Sequence, residues 1–557
     1  MIVGLDMGGT HVDACLIDRG NIVEQAKTPT DRSDLFGSIW KTLDDLLLGK
    51  DFSNLERINL STTVSTNAII EGKTTPVGMI IESGPGLDPS FLACGQENVF
   101  ISGYIDHRGR EIKSVAPEEI EEAAARFRKK GIKACAVAAK FSVRNPMHET
   151  KIKEILKDEF FPVTMGHALS GKLNFPRRVF TSYLNSAVYQ VFKAFCESLR
   201  QALAKKEINA PVNVLKADGG TVSLDAAEKY PVYTILSGPA ASLMGSCAFN
   251  PADKDAVFLD IGGTTTDISF VADGVPLFEP LGISIGNLKT LIRSVYNVSI
   301  GLGGDSAVSV ENGEIKIGPR REGFPMAMGG PVPTPSDAMI VLGLLDFGQK
   351  DQAISAMKKI GEQLGVDARA AAQAIYEKMG EIIKQKVDSL LADINSRPVY
   401  TVKELLYRKR LKPEYVSIIG GPARAMAPVL EKKFQLPCRV PKHFEVANAV
   451  GAALAKTTAE ITLLADTAKG TLSAPEIGLY EKIDRNFTLE MARRKALELL
   501  QQRASMLGAE GSEMEAEITE ESSFNMVRGF YTSGKNIRIR AQIKPGLLYE
   551  LRGVDYA

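Results

Sequence analysis

The sequence predicts an α/β fold made of two related halves and a small C-terminal α/β element. The main observation is a motif, Asp-x-Gly-Gly-Thr-x-x-Asp, which occurs once from Asp6 and again from Asp260. Each copy follows an apolar run of the kind that forms a buried strand. Around both copies, strand-like runs alternate with amphipathic helical segments, which is typical of α/β proteins. We therefore predict a first lobe at 1–175, a second lobe at 176–456 and an appended element at 457–557.

Short apolar runs separated by turns fill about the first 80 residues and predict buried strands: "MIVGL", "HVDACLI", "RINLSTT" and "PVGMII". The segment 117–130 then predicts a helix, because Pro117 suits the first helical position, acidic residues come early and basic residues come late. Gly131 marks the end of that helix, and the strand "IKACAVAAKFS" follows. A strand, a helix and a second strand in this order indicate the α/β class.

A long amphipathic helix is predicted to open the second lobe. Between residues 178 and 205 apolar residues recur at helical spacing, as expected for a helix packed on a sheet. Strands follow at "PVNVLKA" and "AVFLDI", and a helix-rich stretch at about 367–394 precedes the strand "YVSIIGG". After residue 456 the chain is rich in charge, with a helix predicted near 489–506 and the alternating strand "NIRIRAQI".

The composition argues against several classes of protein. The 557 residues include 67 basic and 67 acidic ones, and a net charge of zero does not suit nucleic acid or an anionic membrane. No apolar run approaches the ~18 residues of a membrane span. Asp6 interrupts what could have been the apolar part of a signal peptide, so we expect a cytoplasmic protein. The six cysteines are widely separated and are expected to be reduced core residues.

The residues that follow each pair of glycines decide what the doubled motif forms. In a Walker loop or a dinucleotide fingerprint a helix begins there. Here strand residues follow Gly8–Gly9 and Gly262–Gly263 instead, so each motif predicts the tip of a β-hairpin. Glycines let the backbone approach a ligand closely, and successive N–H groups at such a tip can bind an anion. Thr10 and Thr264 would each add a hydroxyl donor.

The leading carboxylates imply that the ligand carries a cation. Asp6 and Asp260 would repel a bare phosphate across the gap between two opposed hairpins. Mg²⁺ resolves this conflict, since it favours one or two carboxylates together with waters and phosphate oxygens. The two motifs therefore predict a complex of magnesium with a nucleotide.

A third glycine pair supports this prediction. The stretch "VSIIGGPARAMAPVLEKKF" predicts a buried strand, a turn at Gly420–Gly421 and a helix after Pro422. Such a junction offers backbone surface to a nucleoside beside a helix N-terminus. The later stretch "FEVANAVGAALA" predicts a helix of small residues that can pack closely against the same site.

Together these motifs resemble the actin, sugar kinase and Hsp70 ATPase superfamily, and within it the hydantoinase A/5-oxoprolinase family. Five blocks resemble those of this family in the same order: "STTVSTNAIIEGK", "ADGGTVSLDAA", "ILSGPAASLMGS", "FLDIGGTTTDISF" and "GLGGDS". The resemblance covers roughly the first 455 residues. The chain departs from the family at His11, where an aromatic residue is frequent, at "GPAAS" in place of "GPAGG", and in the absence of a cysteine from the loop near residues 318–338.

The resemblance implies two actin-like lobes with ribonuclease-H-like cores that close on ATP and Mg²⁺. It places these residues at the nucleotide: Gly8, Gly9, Thr10, Gly262, Gly263, Thr264, Gly303, Gly304, Gly420 and Gly421. Asp6 and Asp260 would hold the metal. Asp13 and Asp267 would help to place the phosphoryl acceptor, with capping of their own hairpins as the alternative role.

The same resemblance implies an ATP-dependent hydantoinase or oxoprolinase subunit. It would activate the carbonyl of a cyclic amide by phosphoryl transfer, together with a hydantoinase B-like partner subunit, and a homo-oligomer is left open. Two alternatives remain: an ATP-dependent ketone carboxylase subunit, and an ATP-driven reactivase or chaperone-like ATPase.

Overall fold

The computed structural model describes residues 1–8, 11–31, 34–50, 54–250, 254–279, 281–396, 410–509, 511 and 514–552. The first 250 residues contain twelve described strands: β1 (Ile2–Met7), β2 (His11–Asp18), β3 (Asn21–Pro29), β4 (Arg57–Thr62), β5 (Val77–Glu82), β6 (Glu97–Phe100), β7 (Tyr104–Ile105), β8 (Glu111–Lys113), β9 (Ala134–Ala139), β10 (Val163–Met165), β11 (Val212–Leu215) and β12 (Thr221–Ser223). Their described helices are α1 (Leu35–Leu47), α2 (Val64–Ile70), α3 (Pro117–Lys129), α4 (Met147–Leu156), α5 (Gly166–Leu169), α6 (Phe175–Lys205), α7 (Leu224–Lys229) and α8 (Ser237–Phe249).

Six of these strands form the first sheet, in the order β12-β11-β4-β1-β2-β3. β1, β2 and β3 are antiparallel to one another, whereas β4 and β11 run parallel to β1. All six residues of β1 are buried, because the sheet is covered on both faces. The remaining long strands form the inserted sheet, which is parallel throughout in the order β10-β9-β5-β6.

The helix predicted at 178–205 is present as α6, and it packs against β9 and α1. It returns the chain from the inserted sheet to the first sheet, where β11 pairs with β4. The first sheet therefore draws on strands on both sides of residue 175, because α6 brings the later ones back beside β4.

The second lobe repeats the arrangement of the first sheet. Its strands are β13 (Ala256–Ile261), β14 (Thr266–Ala272), β15 (Val275–Pro276), β16 (Ser284–Ile285), β17 (Leu288–Lys289), β18 (Asn297–Ile300), β19 (Val308–Glu311), β20 (Glu314–Ile317), β21 (Tyr415–Ile419) and β22 (Cys438–Arg439). Its described helices are α9 (Pro335–Val341), α10 (Lys350–Leu364), α11 (Ala368–Ser396), α12 (Ala423–Phe434) and α13 (Ala447–Leu454). The second sheet has the order β15-β14-β13-β21-β22, with β18 also paired to β14. As in the first sheet, an antiparallel hairpin is followed by parallel strands.

The C-terminal element consists of an antiparallel sheet and one long helix. Its parts are β23 (Glu460–Asp466), β24 (Thr471–Ala474), β25 (Leu479–Lys482), α14 (Leu489–Met506), β26 (Ala516–Arg528) and β27 (Tyr531–Ile543). The strand order is β25-β24-β23-β27-β26, and α14 packs on β23 and β27. Its apolar residues merge with those of the first sheet into one continuous core, so the element is joined firmly to the first lobe.

Short 3₁₀ turns complete the described structure: Ser90–Leu92, Pro231–Thr234, Met326–Met328, Phe444–Val446 and Pro475–Ile477. All six cysteines are free thiols; Cys15, Cys135 and Cys196 are buried, whereas Cys94, Cys247 and Cys438 are partly buried. Among the described helices, none has the combination of length and apolarity needed to cross a bilayer.

Candidate functional site

Both copies of the doubled motif form β-hairpins with the same register. Asp6 lies opposite Asp13 on β1 and β2, and Asp260 lies opposite Asp267 on β13 and β14. The same backbone bond closes each turn: Gly8 N–H donates to His11 O at 3.0 Å, and Gly262 N–H donates to Thr265 O at 2.9 Å. Gly9 and Thr10 lie outside the described residues.

The amide of Asn448 lies between the leading carboxylates of the two lobes. Asn448 Nδ2 on α13 donates to Asp6 Oδ2 at 3.3 Å, and the same amide lies near enough to Asp260 to lower the pKa of that carboxyl group. Burial, together with the charge of Asp13, raises the pKa of Asp6 to about 7, and the charge of Asp260 adds to this rise. Burial and the charge of Asp267 raise the pKa of Asp260 to about 6. The two carboxylates thus form one electrostatically coupled site between the lobes.

The second pair of motif aspartates is held by neighbouring strands. Asp13 Oδ1 lies 2.6 Å from Lys27 Nζ on β3, and Asp267 Oδ1 accepts a hydrogen bond from Asn297 Nδ2 on β18 at 3.0 Å. Burial raises the pKa of both carboxyl groups. Asp13 and Asp267 thus contact neighbouring strands, while the backbone bonds described above close the hairpin turns.

The residues at the centre of the site fit a magnesium ion that also binds phosphate. Asp6 Oδ1 is buried and has no hydrogen-bond partner. This oxygen is therefore available to bind a metal ion. Within the described ranges, no three His, Cys, Asp or Glu side chains converge to hold a metal by themselves. Mg²⁺ does not require such a cluster, because waters and phosphate oxygens complete its shell around one or two carboxylates.

The "GLGGDS" loop supports the second hairpin from behind. Gly304 N–H donates to Gly262 O at 2.9 Å, and Asp305 N–H donates to Gly263 O at 2.7 Å. A Cβ on Gly303 would lie 2.5 Å from the Gly263 carbonyl, so only glycine permits this approach. The N–H groups of both Gly303 and Gly304 are used inside the protein, since Gly303 N–H donates to Ser306 Oγ at 2.8 Å. Gly303 and Gly304 therefore hold the second hairpin in position, and their own N–H groups are already used within the protein.

The third glycine pair divides into a packed residue and an open one. Gly420 follows β21 with φ of +94°, and a Cβ there would lie 2.3 Å from Ile261 O. A Cβ on Gly421 would meet no atom within 4 Å. The turn before α12 therefore touches the second hairpin through Gly420 and leaves space beside Gly421, as a nucleoside site requires.

Three residues of the site were not singled out from the sequence. Ser242 Oγ on α8 donates to Asp260 Oδ2 at 2.6 Å, and Asn448 lies between the two carboxylates as described above. Arg321 Nη1 lies 3.2 Å from Thr264 Oγ1, and its Nη2 lies 2.8 Å from Asp305 Oδ2. Ser242 ends the stretch "GPAAS", which departs from the expected glycine-rich pattern, and Asn448 is a polar residue among small apolar ones. These were the available signals.

Helices α8 and α13 bring Ser242 and Asn448 to the carboxylates because small residues let them cross closely. A Cβ on Gly245 would lie 2.0 Å from Ala447 O, and one on Gly451 would lie 2.1 Å from Ala241 O. The predicted helix of small residues is present as α13, and it packs closely on α8 and β1 beside the carboxylates.

The doubled sheet-and-hairpin arrangement defines an actin-like fold with two ribonuclease-H-like cores, as predicted. Family comparison agrees with the fold: the hydantoinase/oxoprolinase model matches residues 178–461, and the model of the hydantoinase/oxoprolinase N-terminal region matches residues 2–160. This chain belongs to the hydantoinase/oxoprolinase family.

Two curated relatives are similar over most of the chain. The gamma subunit of acetophenone carboxylase from Aromatoleum aromaticum is 25% identical over an alignment of 450 residues, and the match covers 69% of this chain and 61% of the relative. The alpha subunit of caprolactamase from Pseudomonas jessenii is 25% identical over an alignment of 461 residues, and the match covers 75% of this chain and 64% of the relative. This chain thus spans less than two thirds of the length of either relative.

Two solved structures share the fold over nearly the whole chain. The ATP-dependent caprolactamase of Pseudomonas jessenii matches with a TM-score of 0.71 and 20% identity, covering 97% of this chain and 87% of that one. Nucleotide-free acetone carboxylase matches with a TM-score of 0.69 and 15% identity, covering 98% of this chain and 88% of that one. At these identities the similarity establishes the fold alone.

Proposed function

We propose that this chain is the ATP-binding subunit of an enzyme that activates a carbonyl group by phosphoryl transfer. The observation that carries the proposal is the pair of hairpins with matched register, whose carboxylates Asp6 and Asp260 lie on either side of the amide of Asn448, where the charge of Asp260 raises the pKa of Asp6. Buried like charges of this kind are unfavourable unless a cation joins them. Mg²⁺ bound to ATP would supply that cation and would neutralise charge on the phosphates.

The residues around the second hairpin are suited to bind the phosphates. Arg321 contacts Thr264 at the tip, and its guanidinium would face the negative charge that develops during transfer. Gly263 and Thr264 would offer donors from the tip, while Gly303 and Gly304 hold the hairpin in place. Catalysis of such a transfer depends mainly on positioning and on neutralising charge. Gly420 and Gly421 would lie beneath the nucleoside.

We propose a cyclic amide as the acceptor. Its carbonyl oxygen would form a bond to the γ-phosphorus while the bond from phosphorus to the β–γ bridging oxygen breaks, and ADP would leave with that electron pair. Phosphorylation would make the carbonyl carbon more electrophilic, so one water could add to that carbon and break its bond to nitrogen, which would leave as an amine with a proton from the water. A second water could then cleave the resulting acyl phosphate into a carboxylate and phosphate. Asp13 and Asp267 would help to place the acceptor indirectly, through the metal-binding carboxylates that lie opposite them in each hairpin. The named caprolactamase relative supports this assignment.

A ketone carboxylase subunit is the second candidate, and the acetophenone carboxylase relative favours it. The same transfer would then activate a ketone or bicarbonate. The named relatives do not favour a reactivase or chaperone-like ATPase. Both relatives are named as subunits, so we also propose that this chain works with a partner chain of the hydantoinase B type.

The test compares Asp6→Asn and Asp260→Asn with the wild-type protein and with Asp45→Asn, an exposed position on α1. Isothermal calorimetry measures binding of ATP with magnesium and with a chelator, and a phosphate assay measures turnover. We expect magnesium-dependent binding in the wild type and in the control variant, and at least about tenfold weaker binding in both site variants. Full binding and turnover in both site variants would contradict the proposal. Dependence of turnover on bicarbonate would favour the carboxylase candidate.

A further inference from the structure

A cavity of about 170 Å³ lies beside the first hairpin, and no assigned residue other than Gly8 lines it. Gly8 closes the hairpin turn and forms one side of the cavity. Helix α2 forms a second side through Val64, Asn67 and Ala68, and α6 contributes Val191. The cavity therefore opens next to the hairpin that the proposed function assigns to the phosphates.

We propose that this cavity holds the acceptor, and that Asn67 selects a small, neutral cyclic amide over a ketone or a carboxylate. This inference rests on the proposed function, since it places the acceptor beside the same hairpin. It goes further by naming the pocket, the residue that determines specificity and the charge of the substrate.

Two threonines fix the cavity wall to the hairpin. Thr63 Oγ1 donates to Met7 O at 3.3 Å, and Thr30 Oγ1 donates to Gly8 O at 3.2 Å. Both carbonyls belong to the residues that lead into the hairpin turn. A molecule in the cavity would thus be held in a constant relation to the hairpin, which is the positioning that phosphoryl transfer needs.

The side chain of Asn67 is complementary to the amide of a lactam ring. Asn67 Nδ2 donates to Thr63 Oγ1 at 3.0 Å, which fixes the amide and leaves its second N–H for another acceptor. The Oδ1 atom can accept as well. A small ring holds its amide in the cis form, so its N–H and C=O point to the same side and can pair with both groups of Asn67. A ketone offers only the C=O and would leave Oδ1 without a donor.

The walls of the cavity define the rest of the substrate. Val64, Ala68 and Val191 are apolar and suit the methylene groups of a ring. The two charged residues of the lining, Glu71 and Lys73, pair with each other at 2.7 Å. The lining therefore carries no net charge, and Glu71 beside Lys73 opposes a carboxylate, so the cavity suits a neutral molecule better. One water needs roughly 10–15 Å³ of such space, so a cavity of about 170 Å³ has room for a single small ring.

The experiment measures the binding of four probes in the presence of magnesium and a non-hydrolysable ATP analogue. The probes are 2-piperidone, N-methyl-2-piperidone, cyclohexanone and 5-oxoproline, and ligand-observed NMR detects weak binding. We expect the wild-type protein to bind 2-piperidone at least about tenfold more tightly than the other three. In Asn67→Leu, 2-piperidone should lose its advantage over its N-methyl form, which a purely structural role would not produce. If that variant does not fold, Asn67→Asp replaces it. The carboxylate of this variant can still accept from the lactam N–H, so 2-piperidone should keep its advantage over its N-methyl form, but both should bind more weakly because the donor to the carbonyl is lost.

A second pair of variants tests the location. Val64→Phe should fill the cavity and abolish binding of 2-piperidone, whereas Ile70→Phe, at a position of α2 that is 73% exposed, should not. Equal binding of lactam, N-methyl lactam and ketone, or a preference unchanged in Asn67→Leu, would overturn the inference. Binding of Mg-ATP is measured on the wild type in the same samples. If the wild type does not bind Mg-ATP, the proposed function is contradicted. If it binds Mg-ATP but shows no preference for 2-piperidone over its N-methyl form, only the inference about the cavity is contradicted.

Discussion

Replacing Asp6 by asparagine should stabilise the nucleotide-free protein at alkaline pH while it removes the metal ligand. Asp6 is only 6% exposed, and its Oδ1 has no hydrogen-bond partner. Its ionised form is therefore poorly solvated and lies close to the charges of Asp13 and Asp260. An amide of the same shape keeps the contacts of the side chain and carries no charge.

The size of the effect follows from the pKa of Asp6. Burial and the charge of Asp13 raise this pKa from an ordinary value of 3.8 to about 7. The difference corresponds to about 4 kcal/mol of free energy. Because the folded state binds this proton more tightly than the unfolded chain does, stability falls as the pH rises from about 4 to about 7. The advantage of Asp6→Asn should therefore be absent near pH 4 and complete above pH 7.

The measurement is thermal unfolding without magnesium or nucleotide, at several pH values from 5 to 8. The single tryptophan, Trp40 on α1, reports on the lobe that contains Asp6, which matters because a chain of this length need not unfold as one unit. We expect Asp6→Asn to raise the midpoint at pH 8 by up to about 10 °C, and by less at pH 5. Equal midpoints of variant and wild type at pH 8, or a difference that does not change with pH, would refute the reasoning.

Three further predictions test other contacts of the described structure. Gly420→Ala should impair folding or nucleotide binding, because the added Cβ would lie 2.3 Å from a backbone oxygen. Gly421→Ala should fold like the wild type, since a Cβ there meets no atom within 4 Å. Circular dichroism compares the folding of the two variants, and calorimetry compares their binding of nucleotide. Arg321→Gln should lower ATP turnover at least about tenfold with little change in thermal stability, and unchanged turnover would remove it from the phosphate site. Arg178→Gln should destabilise the protein by about 3–5 kcal/mol, because the fully buried guanidinium of Arg178 donates to three backbone carbonyls. Arg128→Gln, at an exposed arginine, should leave the stability unchanged. The unfolding midpoints of both variants test this prediction.

Much of the fold could be predicted because local patterns agreed with the final structure. The helices at 117–130, 178–205 and 489–506 carry clear periodicity and end signals, and each is present within a few residues. The pairing of distant strands could not be read in the same way. β11 joins β4 only because the inserted sheet and α6 return the chain to the first sheet, and no local pattern encodes that return.

The site could be predicted in part for the same reason. Asp6 and Asp260 stand in a repeated motif, so their equivalence was visible in the chain. The donors to these carboxylates, Ser242 and Asn448, come from two helices that are far apart in sequence and cross through glycine contacts. Their role depends on tertiary packing. The cavity beside α2 is likewise formed by elements that meet only in the folded lobe.

The crossing of α8 and α13 explains why the motif must occur twice. Each sheet supplies one buried carboxylate, and each of these two helices, which pack on each other between the sheets, supplies a polar side chain to the pair. Asn448 donates to Asp6 and lies near Asp260, so both interactions depend on the relative position of the lobes. A metal held by Asp6 and Asp260 would hold the two lobes together more strongly, because it would attract both carboxylates at once. Binding of Mg-ATP and closure of the lobes would then be one process, and a half-molecule with a single hairpin could perform neither.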